Sequence, residues 1–387
     1  MRVAIVSTQY TGLGGTERVD DVLGSMYPEA DLFTLFSDPA YIPPIFRGRA
    51  VRTSFLQNLP AIKTIYRGCL PLYPAAVASL DLRGYDLVIS SDHSLMKSAR
   101  VDYGALHICY CHTPWRQVWD LYEDSLKMTP ALLRPVYAAS ACLLRRCDFD
   151  AAQKVDLLVA NSKHISERIR LYYGRSSKVV YPPVNTQLGY LAPQMSDYYL
   201  SVGRLSPTKR TELAVQACTR LGRRLIVAGV GREYAKLKEL AGPSVEFVGA
   251  VSDQQLADLY AHCRALLFSA DEDFGIVPVE AQSFGRPVIA YGHGGALETV
   301  QVGDPAGVAD TGVFFMEQTT ASLVDGIMRF EGNEDSFIPR LIQSHSRQFD
   351  RTVFTERFRE VIEQTVRSAD GERSDEIRRV SACIPPA

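Results

Sequence analysis

Two glutamates, Glu272 and Glu280, bracket seven residues in Glu272-Asp273-Phe274-Gly275-Ile276-Val277-Pro278-Val279-Glu280-Ala281. The apolar run Ala265-Leu266-Leu267-Phe268 precedes them, so Glu272 falls on a strand-end loop and Glu280 at the start of the next helix. That spacing lets one carboxylate face a sugar and the other a ribose, with helix-start N–H groups between them for phosphate oxygens. Upstream, Gly203-Arg204-Leu205-Ser206-Pro207-Thr208-Lys209 places two cations on a loop after another strand. Arg204 and Lys209 suit charge building on a phosphate leaving group; taken alone, they are an ordinary solvated pair. Gly12-Leu13-Gly14-Gly15-Thr16-Glu17-Arg18 follows the first apolar run. Glu17 stands where a dinucleotide fingerprint needs its last glycine, which counts against a nicotinamide enzyme.

Three further groups carry competing readings. Cys111-His112-Thr113-Pro114 ends a strand, with His112 either a site residue or a structural one. Trp115 and Trp119, the only two tryptophans, form either an acceptor rim or simple packing. Asp271-Glu272-Asp273 matches the D-x-D spacing of metal-dependent sugar transfer. The nearby Glu280, Arg204 and Lys209 supply a metal-free alternative, so no metal is expected. Cys109-Tyr110-Cys111-His112 lacks a second ligand pair for a structural metal.

These residues need a scaffold that presents strand ends. Short apolar runs at Val3-Ala4-Ile5-Val6, Asp31-Leu32-Phe33-Thr34-Leu35-Phe36, Asp86-Leu87-Val88-Ile89-Ser90, Leu106-His107-Ile108-Cys109-Tyr110-Cys111 and Leu157-Leu158-Val159-Ala160-Asn161 alternate with helical patterns. The rhythm breaks near Tyr181-Pro182-Pro183-Val184 and restarts at Tyr198-Tyr199-Leu200-Ser201-Val202. Helix is then expected over Thr211–Leu221, and strands at Leu225-Ile226-Val227-Ala228, Val245-Glu246-Phe247-Val248 and Pro287-Val288-Ile289-Ala290. This is an α/β chain of two Rossmann-like, doubly wound parallel-sheet domains facing across a cleft. The expected division is 1–190, 191–350, a helix over 351–369 returning to the first domain through Phe354, Phe358, Val361 and Ile362, and a polar tail over 370–387.

Composition excludes several classes. The 387 residues carry 42 Lys+Arg against 44 Asp+Glu, which argues against nucleic-acid binding by the whole chain. No run reaches the roughly 18 apolar residues of a membrane span. Eight scattered cysteines suit reduced thiols and a cytoplasmic protein. One local asymmetry stands out: residues 39–80 contain no acid, where the chain average predicts about five. Arg47, Arg49, Arg52, Lys63 and Arg67 alternate there with aromatic and aliphatic side chains, as in a segment lying on an anionic membrane or a partly buried helical excursion.

The Glu272–Glu280 segment, continued by Ser283-Phe284-Gly285-Arg286-Pro287-Val288-Ile289-Ala290, resembles the EX7E motif of retaining GT-B glycosyltransferases, above all glycosyltransferase family 4. The resemblance extends from residue 1 to about 362, weakest over 39–80. It implies sugar transfer from a nucleotide donor with retention at the anomeric carbon. Arg204 and Lys209 then hold the diphosphate, Glu280 the ribose, and Glu272 the donor sugar. Gly14, Gly15, Phe274, Gly275 and Ile276 line phosphates and sugar, the Val248 backbone meets the base, and His112 stands beside the donor sugar. Gly229-Val230-Gly231 and Gly294-Gly295 with Glu298 are similar to further family loops. Leu82-Arg83-Gly84-Tyr85-Asp86-Leu87 and Ala281-Gln282-Ser283-Phe284-Gly285 look like bacterial mannosyltransferases of O-antigen or exopolysaccharide synthesis. The implied donor is GDP-mannose and the implied acceptor a lipid-diphosphate-linked saccharide at the inner membrane face. A UDP-sugar donor and a nucleotide-sugar epimerase remain alternatives.

Overall fold

The computed structural model of the chain describes residues 1–12, 14–303 and 310–369. The expected 370–387 tail, Cys383 and Leu13 of the glycine loop lie outside the described residues. Two compact units emerge: Met1–Pro183 with the chain from Phe354 onward, and Val184–Val353.

The first unit is built on β1 (Val3–Tyr10), β2 (Asp31–Ser37), β3 (Val51–Thr53), β4 (Leu87–Asp92), β5 (Leu106–Cys111), β6 (Leu157–Ala160) and β7 (Lys178–Val179), ordered β3-β2-β1-β4-β5-β6-β7. Every pairing is parallel; Ala4 sits beside both Asp31 and Val88. β4 and β5 are buried along their whole length, which is why they read as continuous apolar runs rather than alternating ones. The 39–80 segment is not a single helical excursion: it supplies the short edge strand β3 between 3-10 turns. Residues from Phe354 onward extend the Arg351–Ala369 helix over the core of this unit. Phe354, Phe358, Ile362 and Val366, each four residues from the last, join Val3, Ile5, Tyr27 and Leu87. Val361, expected on the buried face, is only partly covered.

The second unit is built on β8 (Tyr198–Val202), β9 (Arg224–Ala228), β10 (Val245–Gly249), β11 (Leu266–Phe268), β12 (Val288–Tyr291) and β13 (Gly312–Phe315), ordered β10-β9-β8-β11-β12-β13. Its strands are also all parallel. The Thr211–Leu221 helix buries Leu213, Ala214, Ala217 and Cys218 against β9 and its neighbours. In both sheets the winding reverses beside the first strand, between β1 and β4 and between β8 and β11. Loops leaving the carboxyl ends of those strands diverge and leave room for a ligand.

A buried charge cluster anchors the carboxyl end of β4. Lys97 Nζ lies 2.8 Å from Asp92 Oδ2 and 2.6 Å from Asp148 Oδ1, all three side chains sealed from solvent. Ser94 and Met96 amides donate to the other Asp92 oxygen, at 2.8 and 3.0 Å. Trp119 Nε1 and Tyr173 OH donate to Asp148 Oδ2, at 2.7 and 2.8 Å. Burial raises the Asp148 carboxyl, whereas the adjacent ammonium holds Asp92 below its ordinary range. The described cysteines are all free thiols, and no helix among the described residues is long and apolar enough to cross a membrane.

Replacing Lys97 with Met would leave two sealed carboxylates without their cation. Lys97→Met should therefore lower the stability of the first unit by about 3–5 kcal/mol, measured by urea unfolding monitored through tryptophan fluorescence. Both tryptophans lie in that unit.

Candidate active site

The second unit assembles its polar groups on three loops that leave β8, β11 and β12. The first runs from Gly203 to the 3-10 turn Pro207–Lys209. It presses on the β9 loop so tightly that a Cβ at Gly229 would fall 1.9 Å from the Gly203 carbonyl oxygen. Lys209 pairs directly with the Glu272 carboxylate from the second loop. Both side chains remain a quarter to a third exposed, so water screens the pair and its net contribution to stability is small. Arg204 is exposed and has no ion-pair partner among the described residues.

The third loop holds the second in place. The Gly295 amide donates to the Glu272 carbonyl at 2.8 Å, and His293 Nδ1 lies 2.9 Å from Asp271 Oδ1. A Cβ at Gly295 would stand 2.2 Å from the Phe274 Cα, so only glycine permits this approach. Phe274 is buried edge-on against Phe349, with centroids 5.5 Å apart. Gly275 caps the Ile276–Ser283 helix. Glu280 lies in that helix's second turn rather than at its start, and its carboxylate accepts from Tyr260 OH at 2.9 Å. Val248 falls where the β9–β10 register slips between Phe247 and Gly249.

Other supports carry no sequence signal. Arg210 adopts a left-handed backbone conformation (φ +51°), and its guanidinium donates to the Gln318 carbonyl at 3.2 Å. The Gln318 amide in turn donates to the Ser269 carbonyl at 2.9 Å, fixing the start of the Glu272 loop. A non-glycine residue held there costs of order 1–3 kcal/mol, which is tolerated where surrounding bonds enforce it. Glu298 sits at the third position of the Ala296–Thr299 helix, after its Gly295 N-cap.

In the first unit, Gly14 is the N-cap of the Gly15–Met26 helix, directly after β1. His112 follows β5; its amide donates to the Asp92 carbonyl at 2.8 Å, and its carbonyl accepts from Asn161 at 2.9 Å. Its Nε2 lies 2.9 Å from Ser91 Oγ. Burial, reinforced by neighbouring His93, pushes the imidazole down to about 3, so it is neutral at physiological pH. Beneath the glycine loop, Asp20 is sealed and accepts from Tyr10 OH at 2.7 Å; burial raises its carboxyl to about 6.

The tryptophans are not a rim. Trp115 is 1% exposed and stacks on Tyr73, with centroids 5.8 Å apart. Trp119 is committed to Asp148 and stacks on Tyr172 at 4.9 Å. Several cations of the 39–80 segment are also engaged within the unit. Arg49 donates to the Ala30 carbonyl at 2.6 Å, Arg52 lies 3.7 Å from Asp31, and Lys63 pairs with Asp38 at 2.6 Å. Arg47 is exposed, and the Arg67 side chain is outside the described residues. No cluster of three potential metal-ligating side chains occurs among the described residues.

Comparison with known proteins yields matches in both units. Residues 26–188 match the model of Glycosyltransferase Family 4, and residues 189–344 that of Glycosyl transferases group 1. The Candida glabrata alpha-1,3/1,6-mannosyltransferase ALG2 is 24% identical over 244 residues, covering 49% of this chain and 52% of that protein. The match thus spans about half the length of that relative. The structure of Anabaena HepE in complex with UDP superposes over 94% of this chain and 100% of its own, with a TM-score of 0.69 and 19% identity. Sucrose-phosphate synthase from Thermosynechococcus elongatus covers 95% of this chain and 100% of its own, with a TM-score of 0.70 and 16% identity.

Gly295→Ala should displace the Glu272–Phe274 loop, lowering the melting temperature and the affinity for a nucleotide diphosphate in calorimetry. Gly68→Ala, whose Cβ would meet nothing within 4 Å, should change neither. Acidification gives a separate check. His107 and His112 are held at about 4 and 3, so below about 6.5 the unfolded chain binds protons that the fold refuses. Each therefore costs stability as pH falls below about 6.5, while the raised Asp20 acts in the opposite sense. Melting temperatures at pH 7.5 and 5 should differ less in His107→Gln than in the parent protein.

Proposed function

Because the chain belongs to the family 4 glycosyltransferases and has the GT-B fold, we propose that it transfers mannose from GDP-mannose, with retention, to a lipid-linked saccharide. The Lys209–Glu272 pair at the β8 and β11 loops, beside the exposed Arg204, carries this reading. In the transfer, the bond between the anomeric carbon and the β-phosphate oxygen breaks, and its electron pair goes to the phosphate. The acceptor hydroxyl oxygen bonds to the same carbon on the same face, and its proton passes to the departing phosphate. Charge grows on that phosphate, and Lys209 and Arg204 are the cations placed to neutralise it. Glu272 then exchanges part of its pairing with Lys209 for a sugar hydroxyl.

Glu280, steadied by Tyr260, takes the ribose hydroxyls, and the Val248 backbone meets the base. The amides around Phe274, Gly275 and Ile276, at the start of their helix, meet phosphate and sugar. The resemblance also assigns Gly14, Gly15 and His112 of the first unit to the donor; there Gly14 caps a helix N-terminus and the His112 ring is neutral. None of these steps calls on a metal ion. The mannosyltransferase among the relatives supports the choice of sugar. A lipid-diphosphate acceptor places the protein at the cytoplasmic face of a membrane, in the assembly of a cell-surface polysaccharide.

Glu272→Ala and Lys209→Ala should each lower kcat at least about 100-fold, the scale of losing one charge-stabilising partner. Because their pair is screened, each melting temperature should stay within about 3 °C of the parent's. Transfer at the parental rate in either variant would refute the site. Incubating the protein with GDP-mannose and with UDP-sugars, with and without a lipid-linked saccharide, checks the donor. Turnover of a UDP-sugar alone, or nucleotide release without acceptor, would overturn the mannosyl reading.

A further inference from the structure

The Arg134–Ala152 helix is amphipathic only on its inner side. Ala141 and Leu144 enter the cluster around Trp115 and Met96, and Tyr137 stacks on Tyr122 with centroids 6.0 Å apart. The outer side should then be polar. Instead, Val136 and Leu143 stand seven residues apart on one face, 63% and 60% exposed. The turn leading into the helix adds Leu132 at 89% exposed, and the short helix before it ends in Met128 at 74%. No packing among the described residues accounts for this stripe.

Basic residues lie within the stripe and acids at its two ends, Glu123 and Asp124 before it and Asp148 and Asp150 after it. Residues 125–147 contain no acid but carry Lys127, Arg134, Arg145 and Arg146. Arg145 is turned inward over the Tyr122 ring, at 4.3 Å. Lys127 and Arg146 are three-quarters exposed, each in only a surface ion pair, with Asp124 at 3.8 Å and Asp150 at 2.9 Å. Such pairs contribute little and yield readily to a denser anionic surface.

We propose that the 125–147 segment is the surface through which this protein docks on an anionic lipid bilayer. The proposal rests on the lipid-linked acceptor reading and gives it a place on the molecule. Small aliphatic side chains on a convex helix, flanked by Lys and Arg, fit the boundary between headgroups and acyl chains. A protein partner is the weaker fit, because protein hot spots favour Trp, Tyr and Arg in pockets, and every stripe residue here is aliphatic. The 39–80 segment is the weaker lipid surface, since Arg52 and Lys63 are only about half exposed, against three-quarters for Lys127 and Arg146.

Vesicle flotation with the full chain, without donor or acceptor, tests the docking separately from the transfer reaction. The parent protein should float with phosphatidylcholine vesicles containing one part in three phosphatidylglycerol, at low salt, and not with phosphatidylcholine alone. Leu132→Glu/Leu143→Glu and Lys127→Glu/Arg146→Glu should each weaken partitioning at least about tenfold, with parental melting temperatures. Arg52→Glu/Lys63→Glu should stay within about twofold of the parent. Three results would overturn the proposal: no flotation of the parent, undiminished flotation of the Leu132/Leu143 variant, or loss confined to the Arg52/Lys63 variant. A parent that is dimeric by light scattering, and monomeric only in the Leu132/Leu143 variant, without flotation, would assign the stripe to a second copy instead. Transfer to a soluble acceptor that survives in variants unable to float would leave the enzymatic reading standing.

Discussion

A parallel strand cannot turn straight back to its neighbour; the chain must cross the sheet, usually as a helix, before the next strand begins. Both sheets obey this throughout, so their carboxyl edges carry every outgoing loop. Where winding changes direction beside β1 and beside β8, two such loops part instead of covering each other. Gly14 and Ser91 come from one divide, and Lys209 and Glu272 from the other. Lys209 and Glu272, 63 residues apart, thus meet at strand ends.

Loop position at those ends still needs fixing, and the two units do it differently. In the first, the sealed Asp92–Lys97–Asp148 cluster ties the end of β4 to the Arg134–Ala152 helix, and Trp119 and Tyr173 both donate to Asp148 Oδ2. Desolvation makes such a cluster costly unless every donor and acceptor is met, so its geometry tolerates little movement. The His112 amide donates to the Asp92 backbone carbonyl, which fixes the backbone that carries the imidazole. In the second unit, close backbone approach replaces buried charge: Gly229 against Gly203, and Gly295 against Phe274.

Strands and helices with continuous burial were legible from their residues. β5 occupies the expected Leu106–Cys111 and the first helix of the second unit the expected Thr211–Leu221. β3 (Val51-Arg52-Thr53) and β7 (Lys178-Val179) were not, since neither carries an apolar run, and β13 was missed as well. The local count of acids over 39–80 hid the partners of Arg52 and Lys63, because Asp31 and Asp38 lie just outside that window and β2 pairs with β3. Lys97 and Asp148 gave no hint of burial, since ionic side chains read as surface until a partner far along the chain is seen. Trp115 misled for the converse reason: proximity to His112 in sequence says nothing about which face of the sheet a ring occupies. The pairing of Lys209 with Glu272 lay within reach, because both were marked as strand-end residues; what sequence could not supply was their direct contact.

Charge is distributed unevenly between the two candidate ligand-facing edges, and the proposed reaction makes sense of it. A departing diphosphate gathers negative charge, and the second unit meets it with Lys209 and Arg204, both near water and able to exchange partners. A sugar ring carries no net charge, and a cation pressed against it would be desolvated with nothing to compensate. In the proposed reaction, the first unit accordingly contributes neutral His112 and glycine backbone. An imidazole at its ordinary value near 6.5 would be charged in an appreciable fraction of molecules near neutrality. Burial that pushes His112 down to about 3 removes that fraction, leaving a ring whose hydrogen bond to Ser91 is independent of pH across the physiological range. The burial that destabilises this unit in acid therefore also keeps the His112 ring in one protonation state at neutral pH.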